Sequence, residues 1–110
     1  MQIEEQREEN IVVLSPVGRI DNTTSPEFQL ALLGAIAPAK AVLVDFSQVE
    51  YISSAGLAAL MTGAKRAKSG QARLAVAALR PVVQEIFKIS RFSSVVQVFA
   101  TRDEATAALR

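Results

Sequence analysis

Residues 45–60 of this 110-residue chain read DFSQVEYISSAGLAAL, and their order predicts a strand, a link and a helix. A buried-type apolar strand ends at Asp45, a short polar link follows, and Ser53 and Ser54 open an apolar helix. This order brings a hydroxyl, which we assign to Ser54, to the positive end of a helix dipole. A serine there can simply cap the helix, or it can become a charge switch when a kinase phosphorylates it.

Strand-like and helix-like segments alternate on both sides of this stretch. Short apolar or β-branched runs predict strands, and apolar residues at helical spacing predict helices. The predicted strands cover residues 2–7, 12–14, 41–44, 73–77 and 95–99, the first of them at an edge, and the predicted helices cover 25–36, 54–68, 81–89 and 101–109. Because strands and helices alternate, we expect one α/β domain over residues 1–110, with a mostly parallel sheet and covering helices.

Capping residues mark several of the predicted helix ends. Pro26 is expected at the first position of the first helix, and Gly70 after the last turn of the second. Thr101 and Glu104 fit a capping box at the start of the last helix. In the helix predicted over 81–89, the apolar residues that share one face are Val82, Ile86 and Ile89.

The composition excludes several classes of site. The chain has no cysteine and no histidine, which removes thiolate metal sites, cysteine nucleophiles and the usual general base. A net charge of +1 does not favour nucleic acid or acidic lipid as a partner. The opening MQIEEQREEN lacks the apolar core of a secretory signal, and no apolar run could cross a bilayer. We therefore expect a cytoplasmic domain without direct membrane insertion.

Enzymatic motifs are absent or incomplete. The serine, alanine and glycine at 54–56 overlap half of the hydrolase elbow G-x-S-x-G, but Ile52 stands where glycine is needed and no histidine can take the proton. Neither common phosphate-binding loop occurs. We interpret Asp45 as a turn or capping residue, and the acidic residues Glu4, Glu5, Glu8 and Glu9 as protection of an edge strand. No catalytic residue, metal site or cofactor is predicted.

The second predicted helix has an unusually small and uncharged outer face near its start. At 100° per residue, the side chains predicted to face the sheet are Leu57, Leu60, Met61 and Ala64. Those predicted to face outward are Ala55, Ala59, Thr62 and Arg66, with Ala58 between the two sides. The helix propensity of alanine explains this composition. A flat surface on which a partner can dock explains it equally well.

The stretch DFSQVEYISSAGLAAL resembles the signature of STAS domains, in particular those of bacterial anti-anti-sigma factors (anti-sigma factor antagonists). The likeness extends to the GRID…SPEF segment and to LRPVVQEIFKISRFSSVVQVF, and it covers nearly the whole chain. It implies a sheet of parallel strands with one antiparallel edge strand, and about four helices mainly on one face.

The resemblance also implies a mechanism of partner switching. In that family the unphosphorylated protein binds an anti-sigma factor, itself a GHKL-type serine kinase, and so frees a sigma factor. The kinase then phosphorylates the serine directly before the x-Gly of the signature, which is Ser54 here, and a PP2C-type phosphatase reverses the reaction. The docking residues implied by the resemblance are Asp21, Asn22, Thr23, Thr24, Ser53, Ser54, Ala55, Gly56, Ala58, Ala59 and Thr62.

The signature departs from the family pattern at two positions. Ser53 stands where the family commonly has Asp, and Ala55 where it often has Ser or Thr. Ser53 therefore remains an alternative acceptor of the phosphate. An alternative function also remains, in which a STAS domain regulates another system, such as a signalling enzyme or a lipid ABC transporter.

Overall fold

Six strands and four α-helices build the protein, and the computed structural model describes residues 1–110. In chain order the elements are β1 (Gln2–Glu8), β2 (Ile11–Ile20), α1 (Ser25–Ile36), β3 (Ala41–Asp45), β4 (Val49–Ile52), α2 (Ser54–Ser69), β5 (Arg73–Ala77), α3 (Pro81–Ile89), β6 (Gln97–Phe99) and α4 (Arg102–Leu109). A short 3₁₀ turn, Phe92–Ser94, precedes β6.

The strands form a mostly parallel sheet. Their order is β1-β2-β3-β5-β6, and β4 pairs with the far half of β2. Only β1 runs antiparallel to its neighbour, and it forms one edge of the sheet, so the predicted sheet is confirmed. Because β2 to β5 run in the same direction, the loops that follow them all emerge at the edge formed by the carboxyl ends of these strands. The candidate site lies at that edge.

The helices cover the two faces of the sheet unequally. Helices α1, α2 and α3 pack over one face, where β2 contributes Val12 and Leu14 to the larger core. Helix α4 alone packs over the other face, where β2 contributes Ile11 and Val13 to a smaller core. Alternate side chains of a strand point to opposite faces, so a strand buried on both faces must be apolar throughout. The prediction of helices mainly on one face is confirmed.

Strand β4 lies within the segment that the sequence predicts to be a short polar link. Val49 and Ile52 are buried and Glu50 is exposed. β2 pairs with β3 through Ile11–Leu14 and with β4 from Gly18 onward, and the register with β4 shifts between Gly18 and Arg19. Gly18 has a φ of +98°, a conformation that glycine adopts without strain, and its N–H donates to the Gln48 carbonyl at 2.9 Å. The far half of β2 thus gains a partner that only the folded chain reveals.

Of the apolar face predicted for α3, Ile86 is partly buried against the core, but the other two residues are exposed. Val83 and Phe87 lie in the core, whereas Val82 is 57% exposed and Ile89 is 77% exposed. Both sets satisfy helical spacing, and the aromatic neighbours select between them. The ring of Phe87 makes edge contacts with Phe46 and Phe92, at centroid distances of 5.8 and 5.4 Å. Such pairs stabilise more than their buried area alone provides.

Smaller predictions at the helix ends are confirmed or corrected by the capping geometry. Thr101 accepts a hydrogen bond from the Glu104 N–H at 3.1 Å, as the capping box predicts. Gly70 follows the last residue of α2. Pro26 is the second residue of α1 and not the first, because Thr24 is the N-cap and Ser25 begins the helix. A proline in the first turn still removes only an N–H that has no helical partner.

Acidic residues in and next to β1 and β3 form ion pairs with arginines in and next to α4. Arg102 lies 3.1 Å from a carboxylate oxygen of Glu8 and 3.6 Å from one of Asp45. Arg110 lies 3.6 Å from Glu9. Asp45 also accepts a hydrogen bond from the Ser47 N–H at 2.9 Å, which is the turn-capping role predicted for it. Two of the four glutamates interpreted as edge protection therefore also take part in ion pairs.

Candidate partner-binding site

Strand pairing brings together the two predicted halves of the site. Ile20 of β2 and Ile52 of β4 are register partners in parallel strands. The N–H of Ser53 then donates to the Ile20 carbonyl at 2.8 Å. The loop that begins at Asp21 and the helix that begins at Ser54 therefore start from adjacent backbone positions.

Gly56 lets the first turn of α2 lie against the end of β2. A Cβ added at Gly56 would lie 2.6 Å from Ile52 Cγ1, 2.8 Å from Ile20 Cγ2 and 3.0 Å from the Ile20 carbonyl oxygen. At these distances any side chain would force its neighbours or the first turn of α2 to shift. Gly56 was predicted to contact the partner, but it is buried. Its role is to permit this close approach.

The two serines at the start of α2 have different environments. Ser53 is the N-cap, and its Oγ accepts a hydrogen bond from the Gly56 N–H at 3.2 Å. Ser54 is the first residue of the helix, its side chain is exposed, and its hydroxyl has no hydrogen-bond partner within the protein. The capping interpretation therefore applies to Ser53, and for Ser54 it is wrong. The first amides of a helix lack helical acceptors, so Ser54 lies beside a region of positive potential.

The outer face of α2 differs in one position from the prediction. Ala58 and Thr62 are exposed and Ala55 is half-buried, but Ala59 is only 2% exposed. α2 packs against α1 as well as against the sheet, so a wider arc of the helix is covered. One turn beyond Ala59, a Cβ added at Gly63 would meet side chains of α1. Small residues on this side of α2 allow the two helices to lie close together.

The loop after β2 is held in one conformation by Asp21. One of its carboxylate oxygens accepts hydrogen bonds from the Thr23 N–H at 3.0 Å, the Thr23 hydroxyl at 2.7 Å and the Thr24 N–H at 3.2 Å. Thr24 Oγ1 accepts from the Asp21 N–H and donates to the Arg19 carbonyl, both at 2.9 Å. Asn22 and Thr23 are exposed. The loop therefore presents its outer residues in a preformed arrangement.

The same hydrogen bonds set the charge of Asp21. The bonds from Thr23, first from its hydroxyl and then from its N–H, lower the pKa of Asp21 below its ordinary value of 3.8, and those from Thr24 act in the same direction. A donor to a carboxylate stabilises the ionised form, which is the physical reason for this direction. Asp21 is therefore a carboxylate at neutral pH.

An arginine and a tyrosine at the border of the site were missed by the sequence analysis. The Arg19 guanidinium lies over the Tyr51 ring, 4.5 Å from its centroid, and Arg19 Nε is 4.0 Å from a carboxylate oxygen of Asp21. The two residues are register partners across β2 and β4. No local pattern joins positions 32 apart, so finding the pair would have required the prediction of β4.

Features of other kinds of site are few. A cleft of about 270 Å³ lies between the ends of α1 and α2, at the opposite edge of the sheet, and its lining includes Lys40 and Arg66. No three acidic side chains converge as metal ligands do. None of the helices has both the length and the apolar character needed to span a bilayer.

A curated relative matches part of the chain. BtrV of Bordetella bronchiseptica, which carries the provisional name of anti-sigma factor antagonist, is 39% identical over 69 residues, or 63% of this chain. The match covers 60% of BtrV, so the chain spans less than two thirds of the length of this curated relative.

Two solved structures share the fold. An anti-sigma factor antagonist from Mycobacterium paratuberculosis superposes with a TM-score of 0.90 at 24% identity, over 99% of this chain and 93% of that one. The Bacillus cell fate determinant SpoIIAA, in its phosphorylated form, superposes with a TM-score of 0.75 at 16% identity, over 99% of this chain and 100% of that one. At these identities the likeness is one of fold.

A family model settles the family. The model described as "Mlab, STAS domain" matches residues 2–97, which is most of the chain and includes every residue of the candidate site. The resemblance of residues 45–60 to the STAS signature is thereby confirmed. The protein belongs to the STAS domain family.

Proposed function

We propose that this protein is an anti-sigma factor antagonist that acts by partner switching. It is a binding protein and a kinase substrate, not an enzyme. In its unphosphorylated form it binds an anti-sigma factor that is a GHKL-type serine kinase, and phosphorylation of Ser54 releases it. A PP2C-type phosphatase restores the binding form. Residues 1–110 act as one STAS domain in the cytoplasm.

The environment of Ser54 is the observation that carries this proposal. Its hydroxyl is exposed and has no hydrogen-bond partner within the protein, and it lies beside the rigid loop that begins at Asp21. Ser53 is half-buried, and its Oγ is engaged with the Gly56 N–H. A kinase that took Ser53 would have to reach a half-buried hydroxyl whose oxygen already accepts the cap hydrogen bond. The free hydroxyl therefore supports Ser54 as the acceptor.

The energetics of a phosphate at this position favour release without unfolding. The group adds about −1.5 to −2 charges. On the free protein it is tolerated, because an anion at a helix N-terminus gains roughly 0.3–1 kcal/mol. In a closed interface an unpaired dianion loses hydration at a cost of several kcal/mol. A micromolar complex has only about 8 kcal/mol in total, so the same phosphate can leave the fold intact and abolish binding.

The relatives support the proposed class of function. BtrV and the Mycobacterium paratuberculosis protein carry the name anti-sigma factor antagonist. SpoIIAA has the same fold and was determined in a phosphorylated form, which is in keeping with a fold that tolerates the modification.

The test is a phosphorylation assay followed by a binding assay. The protein is incubated with ATP and each GHKL-type kinase of its own genome, and the modified residue is mapped by mass spectrometry. Ser54→Ala should abolish labelling, whereas Ser53→Ala should retain it at Ser54. Label on Ser53 alone would refute the acceptor assignment. If neither serine is labelled and the protein binds a signalling enzyme or a transporter subunit without any kinase, the alternative STAS function is correct.

A charge mimic tests the switch itself. Ser54→Asp should lose binding to the kinase that labels Ser54, while its melting temperature stays within a few degrees of the wild-type value, since exposed substitutions usually change stability by about 0.5 kcal/mol or less. Ser54→Asn is the matched uncharged control and should bind more tightly than Ser54→Asp. Equal binding by both variants would show that charge is not what releases the partner.

A further inference from the structure

The stacked arginine at the border of the site has unused hydrogen-bonding capacity. The Arg19 guanidinium makes a cation–π contact with the Tyr51 ring, 4.5 Å from its centroid, and its side chain is 57% exposed. Its one charged neighbour is Asp21, whose nearer oxygen is 4.0 Å from Nε, and its guanidinium makes no hydrogen bond within the protein. The terminal nitrogens therefore have no acceptor in the free protein.

A second arginine at the same edge shows the contrast. Arg80 directly precedes α3, and its Nε donates to the Ser47 carbonyl at 2.8 Å, so this side chain ties two loops of the protein together. Arg19 has no comparable structural task. A side chain that is restrained but not bonded is preorganised for a ligand, because less conformational entropy is lost on binding.

The position of Arg19 connects it to both halves of the candidate site. It precedes Ile20 and the Asp21 loop in β2, and its register partner Tyr51 lies two residues before Ser53 in β4. Arginine and tyrosine are also the residue types most often found as interface anchors. The pair therefore borders the Asp21 loop, at strand positions that alternate with the buried Ile20 and Ile52.

We propose that Arg19 is an anchor residue for an acidic side chain of the anti-sigma partner, an inference that rests on the proposed function. A planar guanidinium with free terminal nitrogens matches a carboxylate in a bidentate geometry. The contact with the Tyr51 ring restrains the guanidinium. Asp21 does not compete for the terminal nitrogens, because its hydrogen-bonded oxygen is taken up by the loop and only Nε approaches the other.

Four variants and one control test the anchor, with the kinase that labels Ser54 as the probe. By titration calorimetry, Arg19→Ala should weaken binding roughly ten- to thirtyfold. Arg19→Lys keeps the charge but not the planar fork and should be intermediate. Tyr51→Leu should weaken binding less than Arg19→Ala does, and Tyr51→Phe should bind like the wild type, since only the ring face is used. Arg7→Ala removes an exposed charge from the end of β1 that pairs with the start of β2, at the other end of the strand from Arg19, and should have no effect.

The dependence on salt separates an ionic anchor from a packing contact. The loss caused by Arg19→Ala should be larger at low salt than at high salt, because salt screens the attraction between a guanidinium and a carboxylate. An equal loss at both would overturn the acidic partner. Wild-type binding by Arg19→Ala would overturn the anchor while leaving the proposed function intact. A wild-type protein that binds no kinase at all would overturn the proposed function and the anchor with it.

Discussion

Replacing Gly56 with alanine tests the close approach of α2 to β2 on which the site depends. The added Cβ would lie 2.6 Å from Ile52 Cγ1, 2.8 Å from Ile20 Cγ2 and 3.0 Å from the Ile20 carbonyl oxygen. Both isoleucines are at most 1% exposed, and branched side chains at Cβ are stiff. Neither they nor the backbone of Ile20 can move aside easily, so the first turn of α2 must shift.

The expected magnitude combines two opposing effects. Overpacking a buried position costs about 1–3 kcal/mol. Alanine in place of glycine within a helix returns roughly 0.5–1 kcal/mol. Because the clash involves stiff side chains and backbone, we expect an overpacking cost of about 2–3 kcal/mol. The net destabilisation is then about 1–2.5 kcal/mol, which should lower the melting temperature by roughly 5–10 °C for a domain of this size. A shift of the first turn should also slow phosphorylation of Ser54.

Gly34→Ala is the matched control in the same chain. Gly34 is exposed within α1, and a Cβ added there would have no atom within 4 Å. Only the gain in helix stability remains, so the same chemical change should raise the melting temperature by a few degrees. Both variants are followed by thermal and urea unfolding with far-UV circular dichroism. If Gly56→Ala is as stable as the wild type, the close approach of α2 to β2 does not constrain the site.

Three further predictions concern the cap, the loop and the core. Ser53→Ala should lose about 0.5–2 kcal/mol of stability in urea unfolding through loss of the cap, and Ser53→Asp should restore it. The lowered pKa of Asp21 stabilises the fold above the ordinary pKa of 3.8 and ceases to do so as the pH falls through the lowered value, so Asp21→Asn should lose less stability than the wild type on acidification. Phe87→Ala should cost about 3–5 kcal/mol, whereas Val82→Ala should be nearly neutral.

Each of these three predictions has an outcome that would contradict it. Equal stability of Ser53→Ala and the wild type would show that the cap does not hold α2. An acid transition of Asp21→Asn that follows the wild-type curve would mean that the loop does not favour the carboxylate. If Val82→Ala destabilised the protein as much as Phe87→Ala, the face of α3 first predicted from the sequence would be the buried one.

Local chemistry determined much of the fold. The bounds of α1 and α3 agree with the prediction because prolines and capping residues act within one turn of a helix. The run 41–44 predicted a strand covered on both faces, since only a buried strand is apolar at every position. The signature at 45–60 also placed Ser54 at the start of α2, because strand, link and helix follow one another directly in the chain.

The tertiary structure decided which residues of these elements are buried, engaged or free. Ala59 was predicted to face outward and is buried, whereas Val82 was predicted to lie on the buried face and is exposed. The neighbours that cover these helices, α1 for α2 and the aromatic cluster for α3, cannot be read from the helix sequence itself. The choice between the serines also depended on a distant contact. Ser53 became the cap because β4 pairs with β2 and fixes its backbone against Ile20, which leaves the hydroxyl of Ser54 free. Periodicity sets which residues share a face, but only packing sets where that face points.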